Sequence, residues 1–115
     1  MKFINLTPHV LNVIGDDGSV VLSVPPSGTV ARVATQQTVA TQLDGIDVVR
    51  TVFGDVDGLP APQPDTVYVV STLVLQALRH AGVDRSDVVA PDTSPASVVR
   101  NADGQVVGVK RFQVL

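Results

Sequence analysis

Runs of Val, Ile, Leu and Thr recur along this chain in short apolar stretches, and Asp-Gly pairs separate them. "VLNVIGDDGSVVLSV" places such a pair at Asp17-Gly18, "TVATQLDGIDVVRTVF" at Asp44-Gly45 and "SVVRNADGQVVGVKRF" at Asp103-Gly104. Glycine reaches positive φ without steric cost and aspartate tolerates it, so these pairs suit tight hairpin turns. Three hairpins flanked by β-branched residues predict a mostly antiparallel sheet.

One segment breaks the alternation. In "DTVYVVSTLVLQALRHAGVD", Thr66 to Val70 reads as a buried strand, and Val74, Ala77, Leu78 and Ala81 then recur at helical spacing. Ser71 suits an N-cap, Gly82 suits the C′ position, and Arg79 and His80 sit at the negative end of the helix dipole. A helix of about ten residues is marginal in water by itself, so it must pack on the sheet. Pro60, Pro62 and Pro64 make "GLPAPQP" a stiff, extended crossing of one domain's surface. The predicted fold is α+β in a single domain, residues 1–115. Mostly antiparallel β hairpins pack on one short α-helix, with a partly open barrel as one way for them to curl.

Composition narrows the chemistry. Aromatic residues are 3% of a chain that is 44% hydrophobic, so Val, Leu, Ile and Ala must build the core. No cysteine is present, which removes disulfides, thiolate nucleophiles and thiolate metal sites. A net charge of −3 without any basic run argues against nucleic acid as a partner. No stretch approaches the roughly 20 apolar residues of a membrane span, and the N-terminus lacks a signal peptide's apolar core. The expected setting is the cytoplasm, with no membrane partner.

The opening "INLTPHVLNV" interrupts a strand with Thr7-Pro8-His9. Proline has no N–H, so this step fits the start of an edge strand, with Asn5 or His9 bonded to a neighbouring loop. It also offers an imidazole to a ligand. His9 and His80 are the only histidines and belong to no metal-binding spacing, so no metal site and no cofactor are expected. Ser71 leaves a strand into a helix but lacks the G-x-S-x-G setting of a nucleophile elbow. Phosphate-cradling glycine loops are absent as well. The fuller constellation is one for binding. Arg32, Arg50, Arg100 and Arg111 lie on or beside predicted strands that can aim guanidinium groups at an anion, Arg32 and Arg100 foremost; Tyr68 can stack on a base, and Asn5, Thr7 and His9 can add polar contacts. Lys110-Arg111 reads as an outward strand face.

The segments "INLTPH", "VFGDVDGLPAPQPDTVYVVS" and "DVVAPD…VVRNADGQVVGVKRF" together resemble a family of small uncharacterised bacteriophage and prophage proteins. The resemblance spans nearly the whole chain. It implies an accessory protein acting in the host cytoplasm and carries no catalytic residues with it. "APDTSPASVV" is longer here than in that pattern, which leaves Asp92 to Ser97 outside the shared features.

Three function classes follow. The leading one is a non-catalytic binder that sequesters a small anionic or nucleotide-derived host metabolite, as a homo-oligomer with pockets between subunits. The second is a protein-directed inhibitor of a host enzyme, acting through a strand edge or an acidic patch, with the apolar end "RFQVL" open to this role or to oligomerisation. The third is a small hydrolase using His9.

Overall fold

The computed structural model describes residues 1–114. In chain order the elements are β1 (Lys2–Asn5), β2 (Leu11–Ile14), β3 (Val20–Val24), β4 (Arg32–Leu43), β5 (Ile46–Asp57), β6 (Thr66–Val69), α1 (Thr72–His80), β7 (Val88–Pro91), β8 (Val98–Arg100), β9 (Val106–Val109) and β10 (Phe112–Gln113).

All three Asp-Gly turns form hairpins, joining β2 to β3, β4 to β5 and β8 to β9 as antiparallel pairs. At the middle one, Asp44 and Gly45 take φ of 52° and 77°. That is the doubly left-handed turn whose twist matches its flanking strands. The helix also forms as its caps predict. Ser71 Oγ accepts a hydrogen bond from Val74 N, and Gly82 N and Val83 N donate to Arg79 O and Leu78 O past the last turn. The α+β class is therefore present, with strands dominating.

The strands form two four-stranded sheets, in the orders β1-β6-β7-β10 and β3-β2-β9-β8. Neither closes on itself, so the hairpins build open sheets and not a barrel. Three strands of the first sheet run parallel, because α1 carries the chain from β6 back to β7 in the same direction. That sheet is the middle layer. Tyr68 and Val70 pack towards α1 with Leu75 and Leu78, while Val69 packs towards Leu11 and Val109 of the second sheet. Cover on both faces accounts for the unbroken burial of Tyr68, Val69 and Val70.

The β4–β5 hairpin belongs to neither sheet. Val33 and Val56 at its base join the core beneath α1, and Phe53 meets the His80 ring at 5.7 Å. Beyond that joint the ribbon leaves the body, and every residue from Ala34 to Val52 is exposed. A compact chain of this length has a radius of gyration of roughly 13 Å, whereas this one has 16.5 Å and spans 50 Å along its long axis. The arm makes the difference. Among the described residues no helix is long and apolar enough to cross a membrane.

Candidate functional site

The N-L-T-P-H segment is a crossover between the two sheets, not the start of an edge strand. β1 lies at an edge of the first sheet, whereas β2 runs inside the second, between β3 and β9. Asn5 is wholly buried at the bend. Its Nδ2 donates to His9 O at 2.7 Å and to Val24 O at 3.0 Å. Its Oδ1 accepts from Thr7 N at 3.0 Å and from the Thr7 hydroxyl at 2.7 Å. Both ends of the amide are thus used within the fold, and Pro8, which cannot donate, sits where no ladder bond is required. The His9 side chain faces solvent.

The other predicted binding residues are dispersed. Arg32 begins β4 next to this loop, because Ala31 N donates to Leu6 O. Tyr68 is fully buried, its hydroxyl donates to Ala61 O at 3.1 Å, and the Arg85 guanidinium lies 5.8 Å from its ring centre. Arg85 is held there by a two-bonded ion pair with Asp87, which raises the guanidinium's pKa and lowers that of the carboxylate. Arg100 is on β8, at the far edge of the second sheet from β3, and its Nη1 donates to Gly104 O across its own turn. Asn5, Thr7 and His9 therefore share one loop, Arg32 directly follows the residue bonded to it, Tyr68 lies inside the core, and Arg100 stands apart.

Two open pockets flank the end of α1. One, of about 490 Å³, has a floor of Leu75, Leu78 and Val88 with Arg79 at its rim. The second, of about 530 Å³, lies between Phe53, Gln76, Arg79 and His80 where the arm meets the helix. None of the six predicted binding residues lines either. Among the described residues no three His, Asp or Glu side chains gather as a metal-binding group. Lys110 and Arg111 lie between β9 and β10, at a second crossover between sheets, where Ser97 Oγ accepts from both backbone N–H groups. Arg111 also pairs with Asp92. At the C-terminal end, Phe112 packs between the sheets and Leu115 lies outside the described residues.

The surface feature that departs most from an ordinary domain is the arm. Paired residues of an antiparallel ribbon share a face. Leu43 pairs with Ile46, Thr41 with Val48, Thr38 with Arg50 and Gln36 with Val52, which puts Leu43, Ile46, Val48 and Val52, with Arg50 among them, on the face turned away from α1. Val39 and Val49 pair on the other face, the one that carries Phe53 towards the helix. These six side chains are between 37% and 68% exposed. The four on the first face present on the order of 350 Å² of exposed surface, inside the roughly 300–600 Å² at which an exposed patch is often functional. Sequence reasoning located this hairpin but passed over its exposed residues. The available signal was the uncharged run from Val33 to Leu43, without proline or glycine and longer than a typical strand.

Comparison of the chain with protein families, with curated proteins and with solved structures finds no match.

Proposed function

We propose that this protein is a non-catalytic interaction protein whose β-arm docks on another protein. Within the phage-type reading suggested by its N-L-T-P-H opening, that partner is a host protein. The observation that carries this reading is the arm itself, solvent-exposed from Ala34 to Val52 yet bearing six large apolar side chains. An isolated two-stranded ribbon is marginally stable in water, and its unpaired edges are ready to accept another strand. The residues nominated for small-anion binding support that alternative less well, because Asn5 and Tyr68 are enclosed by their own hydrogen bonds and Arg100 is remote from the rest. The hydrolase reading has the exposed His9 as its base but no nucleophile assigned to it, since Ser71 caps α1.

A photo-crosslinking amino acid placed at Val48, with Arg100 as the control position, tests the docking reading in a host-cell extract. Protein adducts that form from position 48 and not from position 100 support it. Equal labelling from both positions, or none from position 48, overturns it.

A further inference from the structure

We propose that the β4 edge of the arm pairs with the same edge of a second copy of this chain, antiparallel about a two-fold axis near Thr38, to form a continuous four-stranded sheet. The inference rests on the docking reading and names the occupant of one edge. Its first ground is the charge pattern. From Val33 to Leu43 no residue is charged, and the run is bounded by Arg32 at one end and Asp44 at the other. Reversed against itself about an axis near Thr38, this strand brings Arg32 of each copy to the Asp44 turn of the other, within about one residue once the extra residue between Val39 and Thr41 is counted. Neither side chain has an ion-pair partner among the described residues. Opposite charges across neighbouring strands are favourable and like charges directly opposite are not, so the strand is complementary to its own copy. Gln36, Gln37, Thr38 and Thr41 add side chains that both donate and accept, which suits pairing with identical groups.

The second ground is the lack of edge protection. Natural edges are blunted by charged residues, proline, short length or bulges. β4 is 12 residues long, and of the two irregularities in its pairing the one between Val39 and Thr41 places an extra residue on it, while the one between Val33 and Thr35 places it on β5. β5 is different, since Asp47, Arg50, Asp55 and Asp57 line it. The pairing edge is therefore β4, and β5 stays at the outside. A two-fold axis perpendicular to the ribbon keeps each face on its own side. The faces bearing Leu43, Ile46, Val48 and Val52 then lie on the same side of the joint sheet, with Gln36, Thr38 and Thr41 of the two β4 strands between them. The pairing also doubles the apolar face offered to a different protein.

The chain contains no cysteine, so a single introduced one is a clean reporter. Sedimentation velocity at micromolar concentration should give a dimer. Thr38→Cys should yield a disulfide-linked dimer under mild oxidation, with Asp103→Cys remaining monomeric under the same conditions. Arg32→Asp and Asp44→Lys should each weaken dimerisation by about tenfold, and the double reversal should restore it. A chain that stays monomeric, a dimer that Thr38→Cys does not link, or a double reversal no tighter than the single ones overturns the pairing. A monomer that still crosslinks a host protein from Val48 would overturn the pairing alone. A dimer whose position 48 labels no other protein would leave the pairing and remove the docking reading.

Discussion

The rings of Phe3 and Phe112 stack at 5.8 Å, although β1 and β10 are the opposite edges of one four-stranded sheet. Three strand spacings of roughly 4.8 Å separate those edges in a flat sheet. The two rings therefore reach towards each other over the intervening strands, on the side where Val69 and Val89 face the second sheet. A two-residue edge strand, β10, is held in place by this contact together with its short ladder to β7. Phe112→Ala removes a half-buried ring and one member of the pair. It is expected to cost about 2–3 kcal/mol, below the usual range for a fully enclosed Phe, with the midpoint of urea unfolding as the readout.

Asn5 and His9 differ sharply in consequence although they share a loop. Asn5→Ala leaves the Val24 and His9 carbonyls and the Thr7 N–H without their partner at a buried bend. The expected loss is about 3 kcal/mol. His9→Ala deletes an exposed ring and should change stability by less than about 0.5 kcal/mol. Equal losses from the two substitutions, measured by chemical denaturation, would show that the loop is not organised by Asn5.

Gly58 closes the return of the arm into the body. Its φ is 84°, and a Cβ there would lie 2.6 Å from the Val30 carbonyl oxygen. Gly58→Ala combines a left-handed backbone cost with a clash against main chain, so a loss of more than about 2 kcal/mol is expected. Calorimetric melting of the variant beside the wild type checks it.

Acid should unfasten the second crossover. The hydrogen-bonded Arg111 guanidinium holds the Asp92 carboxyl at about 2, below its ordinary 3.8, and the Ser94 backbone N–H acts in the same direction. A carboxylate with a lowered folded-state pKa binds a proton more readily when the chain unfolds. Its contribution to stability is therefore complete above the unfolded pKa and is lost as pH falls from about 4 to about 2. Asp87 beside Arg85 and Asp17 beside Ser19 are lowered too and add to the same acid limb. Urea midpoints of wild type and Asp92→Asn should differ most near neutral pH and converge by about pH 2. A difference that persists unchanged in acid would assign the effect of the substitution to something other than this charge.

Much of the local structure is legible in the chain because its causes are local. Asp44-Gly45 specifies a turn through the φ values those two residues accept, and Ser71 and Gly82 mark the ends of α1 through hydrogen bonds to backbone a few residues away. The burial of Thr66 to Val70 was readable for a similar reason, as an unbroken apolar run suits a strand covered on both faces. The polar atoms of Asn5 were visible as well, but their use was not. Whether an amide contacts a ligand or the Val24 carbonyl, 19 residues away, depends on where β3 comes to lie.

The sequence by itself determined the three hairpins, the capped helix, the α+β class and a mainly aliphatic core. Only the tertiary structure decided that β1, β6 and β7 run parallel and that the sheets stay open. It also decided that Tyr68 lies inside and that Val48 and Val52 lie outside. The physical reason is that turns and caps are decided by backbone conformations and hydrogen bonds within a few residues. Burial depends instead on which distant surfaces meet, and a valine of the arm carries no local mark that separates it from a valine of the core.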